Sequence, residues 1–384
     1  MASGVEPVEF EASARPTLGV EWELALVDRE TGDLAGRAAE LFDGVRAEER
    51  VTAQVHSELL QNTIEIVTGV CDTTAGAMAD LADSLRVVRG VADEMGVDLF
   101  GAGTHPFAQW TAQALTDSPR YDELIARTQW WGRQMLIWGV HVHVGVNHRD
   151  KVLPLISGLL TYYPHLLALS ASSPMWGGHD TGYASTRAMM FQQLPTAGLP
   201  FHFHEWSEFE RFVHDQKTTG IIDQLNEIRW DIRPACHLGT IEVRVCDGVS
   251  NFAELEALVA LIHCLIVWLD SRLDAGEELV ELQPWHVQEN KWRAARYGLD
   301  AIVILDADNT ERLMTDDLAE LIETLGPVAQ RLGCERELAG VLDIPRRGGA
   351  YQRQRAVAGG VCSPEVYRDV VRQVTGELVI PDGP

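Results

Sequence analysis

The chain has 384 residues, 46% hydrophobic and 23% charged, an ordinary globular balance with the length for a large core. Its formal net charge of −26 repels nucleic acid and anionic membrane surfaces, so neither is expected as a partner. That field does not exclude anionic substrates, because bound cations reverse the sign locally.

Residues 1–16, and the tail after Ile380, read as poorly anchored, with one domain over 17–380. No basic segment followed by an apolar one opens the chain, so no signal peptide is expected. Strand-like runs follow at 18–27, 62–67, 98–102, 137–146, 239–247 and 301–305. Helical periodicity marks 74–95, 119–131, 150–170, 205–229, 251–274, 286–297, 314–332 and 364–377. The most apolar run, Leu258–Leu269, is too short to span a bilayer and is flanked by Glu256 and Asp270, so it reads as a buried helix. Six cysteines, Cys71, Cys236, Cys246, Cys264, Cys334 and Cys362, form no CxxC pair, which fits reduced thiols in a cytoplasmic protein. The stretch "GAGTHP" at 101–106 begins like a dinucleotide-binding turn, but Pro106 stands where the third glycine belongs. There is no GxxxxGK[ST] phosphate loop. The irregular interleaving of helices and strands points to an α+β fold with a mainly antiparallel sheet.

Within the first strand, "TLGVEWELALVD", side chains alternate, so Val20, Trp22, Leu24 and Leu26 share one face and Glu21 and Glu23 share the other. In "NTIEIVTG", Glu65 opposes Ile64 and Ile66. In "WGVHVHVGV", His141 and His143 oppose Val140, Val142 and Val144. In "GTIEVRVCDG", Glu242, Arg244 and Cys246 oppose Ile241, Val243 and Val245. Solvated faces usually mix Thr, Lys, Ser and Gln, yet lysine is absent from all four strands. If the strands join one sheet, its polar face gathers Glu21, Glu23, Glu65, His141, His143, Glu242 and Arg244, with Glu58 on the approach to the second strand. So many carboxylates do not stay ionised together without cations. Hard oxygen donors suit Mg²⁺ or Mn²⁺, and their surplus suggests two or more ions bridging the phosphates of ATP. The His-x-His pair also suits zinc with a carboxylate as third ligand, which would imply a hydrolase. Arg244 reads either as a structural partner of Glu242 or as a neutraliser of charge on a moving phosphoryl group.

These residues resemble the glutamate–cysteine ligase family in its type 2, carboxylate–amine ligase branch. The matching stretches are "TLGVEWELALVD", "NTIEIVTG", "GRQMLIWGVHVHVGV", "YASTRAMMFQQLPTAGLP", "DIRPACHLGTIEVRVCDGVSN" and "QENKWRAARYGLDA". The resemblance implies a glutamine-synthetase-like fold, a curved, mainly antiparallel sheet with helices on its outer side, as one catalytic domain. It implies ATP-dependent joining of the glutamate γ-carboxylate to the amine of cysteine, through an acyl phosphate, with Mg²⁺. The alternative is the same chemistry with another amine acceptor, whose metal and phosphate residues would look the same, and a non-catalytic metal-binding relative would keep the fold. By motif, Glu21, Glu23, Glu58, Glu65 and Glu242 are implied metal ligands, with one of His141 and His143. Arg244 is implied to face the transferred phosphoryl group, and Arg187 in "STRAMM" to bind the amino-acid substrate. Lys291, Arg293 and Arg296 stand on one helix and are expected to meet nucleotide or substrate carboxylate, or to form surface ion pairs. Partners are then small molecules, and self-association is compatible with the sequence.

Overall fold

The structure, a computed structural model, describes residues 5–47 and 54–380. Residues 1–4 of the expected arm, and the tail after Ile380, lie outside the described residues. The described part of that arm makes backbone contacts: Glu11 N–H donates to Cys236 O at 2.9 Å, and Ser13 N–H to Val146 O at 2.9 Å.

One seven-stranded sheet carries the fold. Its strands are β1 (Leu18–Asp28), β2 (Gln54–Ser57), β3 (Thr63–Val67), β4 (Val97–Phe100), β5 (Gly139–Gly145), β6 (Ile232–Ala235) and β7 (Thr240–Asp247). Their order is β6-β7-β5-β1-β3-β2, with β4 also paired to β1, and every pairing is antiparallel. The alternation read from the sequence decides which face is buried. Val20, Trp22, Leu24, Ile64, Ile66, Val140, Val142, Val144, Ile241 and Val243 are all fully buried in the main core. Each such side chain contributes about 1.5–3 kcal/mol relative to exposure.

Helices cover that apolar face: α1 (Thr74–Glu94), α2 (Val152–Ser170) and, beyond the short α3 (Thr186–Phe191), α4 (Phe252–Asp274). The ring of Trp22 meets Phe252 edge-on, with centroids 6.2 Å apart. Two helical stretches, Arg149–Ser170 and Phe252–Asp274, are long and apolar enough to cross a membrane, but 83% and 78% of their apolar windows are buried inside the protein. The predicted buried helix is therefore real and longer than the apolar run that marked it. A further helix, α5 (Pro284–Tyr297), packs on α2.

Three expectations change. The helix predicted over 205–229 ends at Thr218; Gly220 then takes a left-handed φ of 70°, and Arg229–Trp230 pairs with Ala197–Gly198 instead. Strand β6 escaped notice because Pro234 lies inside it, which only an edge strand tolerates. Cys246 does not share a face with Glu242 and Arg244. A bulge lets Arg244 and Val245 together oppose His141, so Cys246 pairs with Val140 and turns into the core.

Candidate active site

The sheet register brings the charged residues of the other face together. Glu23 lies opposite Glu65, Glu21 opposite His141, and His143 opposite Glu242, which sets them in a row across β3, β1, β5 and β7. Like charges directly opposite one another destabilise a sheet, so this face needs compensation.

Glu21 is the hub. Its carboxylate contacts His141 Nδ1 at 2.9 Å and His143 Nε2 at 3.1 Å. Burial pushes this carboxyl up, but the bonds to the two histidines outweigh it and hold it well below the usual range. Burial and then the Arg244 charge push His141 down, and its Nδ1 lies 2.9 Å from a Glu21 carboxylate oxygen and 3.4 Å from Arg244 Nη1. His143 Nδ1 meets Thr240 Oγ1 at 2.9 Å. Glu242 is buried, which raises its carboxyl, yet Arg244 and Arg233 hold it far below normal. Arg233 Nε donates to it at 2.6 Å, and Arg244 also pairs with it. Arg233 was missed with its strand; the signal was its alternation with Ile232 in "DIRPA".

The remaining carboxylates are less well matched. Burial first, then the charge of Glu58 and its neighbours, pushes Glu65 up to about 10. Burial and Glu23 push Glu58 to about 7. A neutral Glu65 beside ionised neighbours holds a proton where a cation would serve instead. Two groups of three donor atoms lie within 4.8 Å of one another: Glu21, Glu65 and His141, and Glu21, His143 and Glu242. These carboxylate-rich donor sets fit hard divalent ions. Among the described residues no such group holds both His141 and His143, although both meet the Glu21 carboxylate.

A cavity of about 160 Å³ opens beside this row. Glu23, Glu58 and His141 line it together with four arginines, Arg120, Arg187, Arg229 and Arg244. Arg187 is buried, not a helix-surface residue, and sits in the first turn of α3. Its backbone N–H donates to Ser173 Oγ at 3.0 Å, and Ser173 in turn donates to the buried Asp247 at 2.6 Å. Its guanidinium donates to Arg244 O at 3.3 Å. The space it occupies exists because residue 139 is glycine: a Cβ there would collide with the guanidinium and with the Cys246 carbonyl. Gly139 N–H also donates to Glu23 at 2.5 Å. Buried Nε atoms of both Arg187 and Arg244 have no protein partner. Buried donors call for acceptors, and an oxyanion in the cavity would supply them. Arg120 and Arg229 had no signal in the sequence, because they come from a helix and a short strand outside the main sheet.

Lys291, Arg293 and Arg296 do not line this cavity. Lys291 is buried and donates to Asp231 at 2.7 Å, where Tyr163 OH also donates at 2.9 Å. Arg293 pairs with Glu289 and Glu311. Arg296 donates to Gly182 O and lies over the Tyr183 and Tyr297 rings.

The model of glutamate–cysteine ligase family 2 matches residues 17–374. The chain belongs to that family. Its sequence is 67% identical over 351 residues to a protein of Mycobacterium sp. strain KMS provisionally named glutamate–cysteine ligase 2-1, covering 91% of this chain and 92% of the relative. A relative in Mycobacterium bovis BCG Pasteur, provisionally named glutamate–cysteine ligase 2, is 65% identical over 373 residues, 97% of this chain and 98% of its own. Among solved structures, the glutamate–cysteine ligase of Francisella tularensis in complex with AMP superposes with a TM-score of 0.63 at 15% identity, over 96% of this chain and 90% of that one. A bifunctional glutathione synthetase from Pasteurella multocida superposes with a TM-score of 0.64 at 13% identity, over 95% of this chain and 52% of that one. These likenesses show the fold, the glutamine-synthetase-like class expected from the motifs. Family membership makes the protein a ligase.

Proposed function

We propose that the protein joins the γ-carboxylate of glutamate to the amino group of cysteine at the expense of ATP. The observation that carries this reading is the placement of an arginine-bounded cavity directly against a carboxylate and imidazole row. In this scheme the γ-carboxylate attacks the terminal phosphorus of ATP, giving an acyl phosphate and ADP. The cysteine amine then attacks the acyl carbon, the C–O bond to phosphate breaks, and the amide forms with release of phosphate and a proton.

The chain's own residues divide this work. Glu21, Glu23, Glu58, Glu65, Glu242, His141 and His143 would hold two or more Mg²⁺ ions, with Mn²⁺ as the alternative, in the two donor groups and around the cavity mouth. Bound there, such ions neutralise phosphate charge. Arg244, fixed by Glu242, presents a planar fork to the phosphoryl group in transfer. Arg187, anchored through Ser173 and Asp247, orients the amino-acid substrate. A cation held there would take the place of the proton that burial and the neighbouring carboxylates favour on Glu65.

Phosphate release from ATP, with Mg²⁺, glutamate and a panel of amines, tests the reading. Release should require glutamate and run fastest with cysteine, accompanied by the dipeptide in mass spectra. A faster amine would reassign the acceptor and keep the ligase chemistry. Release indifferent to every amino acid would overturn the proposal.

A further inference from the structure

A second donor cluster lies outside this site. His202, His204 and Glu281 bring ligand atoms within 4.8 Å of one another, and none of the three lines the arginine-bounded cavity. His202 Nε2 is 2.9 Å from Glu281 Oε1 and 3.4 Å from His204 Nδ1. Tetrahedral zinc, with bonds of about 2.0–2.1 Å to nitrogen, sets its donors roughly 3.3 Å apart, so these spacings need little adjustment.

The sequence "FHFHE" explains the arrangement. Phe201 and Phe203 both pack on the Phe212 and Trp230 rings, with centroids 5.4 to 6.2 Å apart. Anchoring alternate residues leaves the intervening His202 and the following His204 side by side, with ring centroids 4.5 Å apart. The neighbouring carboxylates are occupied: Glu205 and Glu208 form the capping box of the helix Trp206–Thr218, and Glu208 accepts from His204 N–H at 2.8 Å. That leaves two imidazoles and one carboxylate, with water free to take a fourth position. Imidazole-rich sets of this kind select zinc-class ions over the Mg²⁺ that suits the carboxylate row.

We propose that His202, His204 and Glu281 bind one Zn²⁺-class ion. Such an ion would tie the segment 199–205 to the loop 275–283 that leads into α5. Leu199 of the first segment, and Gln288, Lys291 and Trp292 of the helix that follows the second, line a cavity of about 510 Å³, so the ion would hold these two parts of the chain together beside it.

Zinc chloride titrated into the full-length protein in excess Mg²⁺ tests this, read by calorimetry and by thermal melting. The wild type should take up one Zn²⁺ at this site and melt at a higher temperature with it. His202→Ala and Glu281→Gln should each lose more than the ten- to hundredfold in affinity that loss of an outer-shell partner costs, together with the thermal shift. His143→Ala should keep both. Unchanged zinc uptake in His202→Ala and His204→Ala, or uptake abolished by His143→Ala, would overturn the proposal.

Discussion

Arg244 joins two roles that look exclusive in the sequence. It pairs with Glu242 and it lines the cavity with an unpartnered Nε. Glu242 keeps Arg233 as a second partner, so a lysine at 244 need not leave the buried carboxylate alone. Lysine cannot reproduce the planar fork, however. Arg244→Lys should therefore melt near the wild-type temperature and bind ATP nearly normally, while turnover falls by at least about a hundredfold, as for loss of one transition-state donor. Steady-state kinetics with melting curves check this. Near-normal turnover, or failure to fold, would return Arg244 to a purely structural role.

Among the elements, α5 shows how basic residues on one helix serve different ends. Arg293 and Arg296 close surface and backbone contacts, and Lys291 neutralises Asp231 inside the protein. Removing one partner of a buried ion pair typically costs about 3–5 kcal/mol, because the other charge stays behind without compensation. Lys291→Met should lower the chemical-denaturation midpoint accordingly, and Lys291→Met combined with Asp231→Asn should recover part of the loss. A stable Lys291→Met that merely binds ATP poorly would instead favour a nucleotide contact. The bulge in β7 acts on the same scale: one extra residue sends Cys246 into the core and leaves Arg244 on the polar face.

Over the whole molecule, the crowded acidic face should govern how stability depends on pH. Glu65 is raised from 4.5 to about 10, so the native chain holds a proton there that the unfolded chain releases. Its stabilising contribution is complete below 4.5 and is lost as pH rises toward 10. Glu58, raised to about 7, acts in the same sense at lower pH. Glu21 and Glu242, held low, contribute stability that is present above 4.5 and lost only on acidification. His141, pushed down from 6.5, likewise weakens the fold only as pH falls. Between about pH 7.5 and 9 the metal-free protein should therefore lose up to about 1.4 kcal/mol per pH unit through Glu65. Excess Mg²⁺ should flatten this slope. Glu65→Gln should also flatten it, raise the melting temperature in chelator, and weaken Mg²⁺ binding. A slope unchanged in Glu65→Gln would place the pH dependence elsewhere.

Much of this was legible in the sequence, because strand alternation is a local rule. Reading every second residue of four strands found Glu21, Glu23, Glu65, His141, His143, Glu242 and Arg244, and the aliphatic partners that hold their strands against the helices. Alternation cannot say which strands are neighbours, and register alone set Glu21 between the two histidines and separated those histidines into different donor groups. Nor does it survive a bulge, which is why Cys246 fell on the wrong face. Arg120 and Arg229 were invisible because a helix and a two-residue strand outside the sheet carry no shared period, and Arg233 was passed over because the proline in its edge strand masked the alternation with Ile232. The polar face follows from the chain's own pattern; the charge balance within it was decided by contacts between residues far apart in sequence, which only the folded sheet brings within hydrogen-bonding distance.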